Sequence, residues 1–327
     1  MNWKLSKAFI YIITLMVMFT TEIAFSGSLR DTISEDAQTT NTAFNSIYRQ
    51  TAPAGFFGNE YGNRIKTSLV ADVNPNVAIF QTSKSRFFAL FSPRVKLRLL
   101  DARKAPVRSP SYMPGLKVFG RLNNDPERPR FLALAYSHHS NGQDGPTLDS
   151  IGRFNRGKGK FTTNYYTLDY TLGKSTQGTN RSENQFASLG LEIHTGLFKL
   201  GYSKELAGNY GFIRMNGSWI YDIHKVQRAN KYRDHYRIHA NFTYILDTYQ
   251  NFSITNAGKR FNTSVNFIYQ PGFMDNVGLT IGTGYRGQDD YNIYFEDSYA
   301  YMSIGIAYGF AFKQKEPPKR ELFQYKN

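Results

Sequence analysis

Two side chains with complementary chemistry stand two residues apart in the segment Arg130–Ser140, RFLALAYSHHS. Its even positions are Leu132, Leu134, Tyr136, His138 and Ser140, and its odd ones are Phe131, Ala133, Ala135, Ser137 and His139. A β-strand turns residues i and i+2 to one face, with their Cα atoms ~6.5–7 Å apart. If the leucines face an apolar medium, His138 and Ser140 share that surface. A neutral imidazole within reach of a hydroxyl is the first requirement of an activated serine. Polar groups on such a surface carry a desolvation cost unless they find partners. Asn155, in Arg153-Phe154-Asn155-Arg156 at the start of the following strand, offers one. The bland alternative is a strand that reaches a polar boundary zone, where His and Ser are harmless, and a His-x-Ser alone does not exclude it.

The elements that would carry these residues are written in period two along most of the chain. In Tyr236–Leu246 one face holds Tyr236, Ile238, Ala240, Phe242, Tyr244 and Leu246, and the other holds Arg237, His239, Asn241 and Thr243. Arg260–Tyr269, Ile213–Tyr221, Val277–Tyr285 and Ala300–Phe312 alternate in the same way. Earlier runs are Arg86–Leu99, Gly115–Arg121, Phe161–Leu172, Gln185–His194 and Leu197–Ser203, with Asn63–Ala71 or Val77–Gln81 at the start. Strands in a soluble sandwich are typically ~5–6 residues long. A strand crossing a bilayer needs ~9–11, with a polar lumen behind it and aromatics at both interfaces. The longer runs here have that length and carry Tyr or Phe at their ends, while Lys199, Arg214, Arg237 and Arg260 fall on the non-apolar face. The reading is an all-β protein, a transmembrane antiparallel up-and-down β-barrel of about twelve strands.

Composition agrees and closes off other classes. The 327 residues carry 40 Lys+Arg against 25 Asp+Glu, a net charge of +15, with 23 Tyr, 26 Phe and no cysteine. Disulfide scaffolds, cysteine–zinc sites, iron–sulfur clusters and a thiol nucleophile are excluded. Lys4 and Lys7, the apolar run Ala8–Phe19 and Ala24-Phe25-Ser26 read as an export signal over residues 1–26. Residues 27–62 lack the alternation and are expected to form a periplasmic arm or a plug. The barrel is expected over 63–312, followed by a basic polar tail, 313–327, in which Pro317-Pro318 stops any further strand. The positive charge suits anionic lipid headgroups or lipopolysaccharide around an outer-membrane barrel. Nucleic acid is not an expected partner of an exported barrel.

His138-His139-Ser140-Asn141-Gly142, with Pro146-Thr147 and then Phe154-Asn155-Arg156, resembles the active-site signature of the outer-membrane phospholipase A family. That family carries His-x-Ser-Asn-Gly, an Asp-Pro-Thr-Ser loop and Trp-Asn-Arg on a twelve-stranded barrel. A second echo lies in Gly284-Tyr285 and Asp290-Tyr291-Asn292. The likeness is concentrated in Tyr136–Gly157 and is faint before residue 110. It implies that Ser140 is the nucleophile, His138 the general base and Asn155 the acceptor of the second imidazole N–H. Gly142 would supply a backbone oxyanion donor. A neutral asparagine stabilises an imidazolium less than a carboxylate does, and in the family calcium makes up the difference. The segment between Ser140 and Asn155 is longer here than in the family, so Gln143–Ile151 does not align uniquely. Gln143, by its carbonyl, with Asp149 or Ser150 are the candidate calcium ligands, calcium being a cation that takes oxygen donors.

The resemblance implies an outer-membrane enzyme that hydrolyses acyl esters of membrane phospholipids from the barrel wall and is active as a homodimer. With His138 as base, activity should fall at acidic pH, where imidazole carries a proton. Two other readings stand beside it. One is a lipid A deacylase barrel, a class with a His-x-Ser-Asn motif on eight strands and a Glu as third member. The other is a passive channel or structural barrel.

Overall fold

A computed structural model describes residues 43–44, 46–48, 50–81, 85–103, 107, 110–155, 157–178, 180–196, 202–226, 233–274, 276–288 and 297–309. Among them lie thirteen strands: β1 (Gly55–Tyr61), β2 (Thr67–Val73), β3 (Val77–Phe80), β4 (Phe87–Leu100), β5 (Ser111–Arg121), β6 (Arg130–Ser140) and β7 (Thr162–Gln177), then β8 (Arg181–His194), β9 (Ile213–Val226), β10 (Arg233–Ile245), β11 (Phe261–Gln270), β12 (Val277–Arg286) and β13 (Tyr299–Tyr308). From β4 to β13 each strand pairs with the next, antiparallel throughout. The ring closes because β1 pairs with both β13 and β2, and β2 pairs with β4. Short β3 continues along β4 where β2 stops, Val77 facing Phe91 after Val73 faces Val95. The Asn74-Pro75 step interrupts what is otherwise one strand, so the closed barrel has twelve staves.

Parity then sorts the side chains. Leu132, Leu134, Leu168, Leu189, Ile281 and Ile304 are all exposed and all on the outer face. An apolar belt repeated around a ring is too large for a surface facing water and is what a bilayer requires. The inner face is charged and paired. Asp222 accepts from Arg237 Nε at 2.7 Å and Nη2 at 2.9 Å, a bidentate bond between two buried groups. Glu60 receives Arg98 at 3.1 Å and Arg286 at 2.8 Å. The polar lumen expected from the alternation is therefore lined by buried ion pairs.

Both ends of that core are occupied. Helical turns at 43–51 bury Ala43, Phe44 and Ile47 against the inward residues Phe88, Leu90, Phe119, Phe131 and Ala133. Tyr48 donates to the Asn76 carbonyl at 2.5 Å, and burial raises its pKa to about 12, so it stays a donor. Arg237 donates to the carbonyl of Ala52, tying the helix exit to the wall. At the other end Phe161, Leu206, Tyr210 and Phe212 form a second cluster. Arg214 fixes it, donating to the carbonyls of Gly211 at 2.8 Å and Tyr210 at 2.9 Å. A cavity of about 660 Å³ remains between the two.

Two boundaries differ from the sequence reading. The segment 27–62 was expected to carry no strand, yet Gly55–Tyr61 is β1. Its alternation is hidden by the adjacent Phe56 and Phe57 and by Gly58, and that glycine is dictated by its partner. Gly58 stands opposite Gly305, and a Cβ on it would collide with the Ile304 carbonyl and lie 2.7 Å from the Gly305 Cα. Of the rest of that segment, the described residues of 43–51 are helical and pack against the inner wall, and 27–42 lie outside the described residues. In Leu197–Ser203, Tyr202 and Ser203 are outside any strand, and 197–201 lie outside the described residues. So do the signal at 1–26, the Asp290–Asn292 echo and the tail at 313–327.

Candidate active site on the outer wall

The candidate site lies where β6 ends and β7 begins. With β1 running up from the helix, β6 also runs up, so Ser140 is at the end opposite Gly55 and Tyr308. Connections at that end are long (141–161, 195–212, 246–260, 287–298), and those at the other end are mostly short (81–86, 178–180, 271–276). Outer-membrane barrels have long loops outside and short turns on the periplasmic side.

On the outer face of β6, Tyr136, His138 and Ser140 continue the line of Leu132 and Leu134 and are each half-buried. Across the ladder His138 stands opposite Asn164, Tyr136 opposite Tyr166 and Ser140 opposite Thr162. The imidazole Nδ1 of His138 lies 2.9 Å from Asn164 Oδ1, and the Tyr136 hydroxyl donates to the same oxygen at 3.0 Å. Asn164 is buried, whereas Leu168, Tyr170 and Leu172 further along the same face of β7 are exposed. An amide oxygen only accepts, so His138 carries its proton on Nδ1 and turns the lone pair of Nε2 outward. Ser140 Oγ bonds to no described residue.

This corrects the third member. Asn155 does not hold the imidazole: its Oδ1 receives the N–H of Gly157 at 3.2 Å and of Lys158 at 3.3 Å. Its backbone donates to Thr147 O and receives from Gly159. It is a loop cap, an ordinary role for an asparagine beside glycines. The signal that could have found Asn164 was parity: it is the polar residue on the outer face of β7 aligned with the polar break in β6. The long loop displaced it from the expected spacing.

Gly142 sits at φ +68°, a left-handed conformation suited to glycine, with the Tyr112 ring 3.3 Å from where a Cβ would stand. Its N–H donates to no described residue. Asn141 holds this turn in place. Its Nδ2 donates to Gly159 O at 2.9 Å, and its Oδ1 receives the N–H of Phe161 at 3.0 Å and of Gln143 at 3.2 Å. The Asn of His-x-Ser-Asn-Gly is thus a buried staple between the two strand ends. His139, on the inner face, packs on Phe161 and bonds Ser111 at 3.0 Å. His194, also on the inner face, is buried between Thr163 at 2.9 Å and Glu192 at 2.7 Å.

The calcium ligands implied by the resemblance do not assemble. Asp149 Oδ1 receives the N–H of Ile151 at 3.0 Å and of Arg153 at 2.9 Å, closing its own turn. Ser150 is exposed and Gln143 half-buried, and neither is hydrogen-bonded to Asp149. Among the described residues no group of three or more acidic or histidine side chains could hold a metal. The residues present do not fit a calcium site within one barrel.

No protein-family model matches the chain, and no curated protein matches it. Among solved structures it is similar to the NanC porin in its rhombohedral crystal form, at 10% identity and TM-score 0.39, over 78% of this chain and 98% of that one. It is also similar to the beta domain of the Bordetella autotransporter BrkA, at 11% identity and TM-score 0.34, over 78% of this chain and 96% of that one. What the strand register and the belt define is a closed twelve-stranded antiparallel β-barrel of the outer-membrane type.

Proposed function

We propose that this barrel is an outer-membrane serine hydrolase that cleaves acyl esters of glycerophospholipids, a phospholipase A working from its outer wall. The observation that carries the reading is the His138–Asn164 bond on the lipid-facing surface, with Ser140 next along the same face. A hydrogen-bonded imidazole and amide are hard to explain on a wall that is elsewhere mostly apolar. The site faces the bilayer, so a lipid substrate reaches it without entering the lumen.

The chemistry follows from those atoms. Ser140 Oγ attacks the ester carbonyl carbon as His138 Nε2 takes its proton, and Asn164 holds the imidazolium through Nδ1–H. The carbonyl oxygen becomes an oxyanion and accepts the Gly142 N–H. Collapse breaks the ester C–O bond, and the leaving lysolipid oxygen takes the proton from Nε2. Water, deprotonated by His138, then attacks the acyl-serine, releasing fatty acid and restoring Ser140. Removal of one oxyanion donor in a serine protease costs ~2.7–4 kcal/mol of barrier, which sets the scale for Gly142. No step is routed through calcium. A homodimer completing the site remains part of the proposal by resemblance alone.

A non-enzymatic barrel is the second reading, favoured by the missing Ser140–His138 hydrogen bond, although such bonds are often long before substrate binds. The assay is fatty-acid release from phosphatidylethanolamine in mixed micelles, with calcium and with chelator, beside Ser140→Ala. Release that needs Ser140 supports the proposal, and its response to chelator decides the metal. No release from folded barrel on phospholipid or on lipid A contradicts it.

A further inference from the structure

Resting on the site just proposed, we infer that Tyr136 is a positioning residue that locks the tautomer of His138 by fixing the side-chain amide of Asn164. An asparagine amide has two faces of opposite character: its oxygen only accepts and its nitrogen only donates. Turned one way, Asn164 selects the His138 tautomer with the proton on Nδ1, leaving Nε2 able to take the serine proton. Turned the other way, the NH₂ would donate to Nδ1, move the imidazole proton to Nε2 and leave no base beside Ser140. Two donors converge on Oδ1 in the structure, Nδ1 of His138 at 2.9 Å and the Tyr136 hydroxyl at 3.0 Å. A flip would make the phenol accept from the NH₂ and turn its own hydrogen toward the apolar face, where no described residue accepts it, an unsatisfied donor that disfavours the flip.

The placement is built by the strands rather than by a flexible loop. Tyr136 and His138 are i and i+2 on β6, and each faces a β7 residue on the same outer surface. The Tyr136 ring packs on that of Tyr166 with centroids 5.3 Å apart, which fixes where its hydroxyl points. A carboxylate in place of Asn164 would present oxygen whichever way it turned, so it would need no such lock.

The test is a double-mutant cycle with a spectroscopic arm. Tyr136→Phe should lower kcat for ester release about tenfold, the scale of one hydrogen bond, with KM little changed. The same change in an Asn164→Asp background should leave the rate of that variant unaltered. Imidazole ¹⁵N shifts of His138 should show the Nδ1–H tautomer in the wild-type barrel and a mixture with Nε2–H in Tyr136→Phe. Equal losses in both backgrounds would overturn the lock and assign Tyr136 to packing, as would an unchanged tautomer in Tyr136→Phe. The ¹⁵N arm needs no turnover. A barrel that shifts tautomer but never hydrolyses ester would defeat the proposed function and keep the lock.

Discussion

At the scale of residues, the account turns on which asparagine touches His138. Asn164→Ala removes the partner of an imidazolium, and bonds to charged groups are worth ~1.5–3 kcal/mol, so release should fall about tenfold to a hundredfold. Asn155→Ala only uncaps a loop turn and should leave kcat near that of wild type. Steady-state assay of the two variants side by side checks this, and the reverse ranking would restore Asn155. The pair also shows what was legible. The placement of His138, Ser140 and Gly142 was legible because it is local: two residues on one strand face and a glycine at the next turn. Asn164 could not, because its contact is made across the ladder and a loop of unexpected length sets which residue arrives there. The surroundings of the candidate metal ligands were not legible for a related reason. Asp149 looked like an oxygen donor by type, and one of its two oxygens accepts from amides two and four residues further on.

At the scale of elements, period-two alternation read most of the strands because each has one face in an apolar medium and one in a polar core. It failed at β1, where β-barrel closure demands the Gly58–Gly305 close approach and the pattern breaks. Gly58→Ala should therefore impair assembly more than an alanine elsewhere on an inner face, read as the fraction of heat-modifiable folded barrel after refolding into detergent. A second prediction separates lipid from core. Leu168 is exposed on β7, and its neighbour Thr167 lines the internal cavity. Leu168→Arg should cost ~2–4 kcal/mol in bilayers, the price of a cation near the midplane, as measured by reversible unfolding from vesicles. Thr167→Arg, beside Glu192 and Asp169, should cost less. A soluble protein with an ordinary core would give the opposite order.

At the scale of the molecule, the helix at 43–51, the Phe161–Phe212 cluster and the ion-paired interior fill the barrel. An assembly built that way should pass little steady current in a planar bilayer. Large, long-lived openings by the wild-type protein would favour the channel reading instead. An ion-paired interior is also consistent with the proposal that the chemistry stands on the outside. The lumen groups are paired with one another, and the polar residues of the outer wall gather at the end with the long loops, where headgroups and ester bonds lie. Sequence pattern predicted a polar lumen, but not the ion pairs and the two clusters that narrow it to a cavity of about 660 Å³, since alternation reports which face is apolar and not what fills the other.

The claim beneath all of this is that Ser140 is a nucleophile activated by His138. The most direct measurement is covalent capture: refolded barrel treated with a long-chain alkyl fluorophosphonate, digested and mapped by mass spectrometry. The account predicts one adduct per barrel, on Ser140, and its loss in His138→Ala although the serine is still present. A folded barrel that takes no label, or takes it elsewhere with Ser140 untouched, would contradict it.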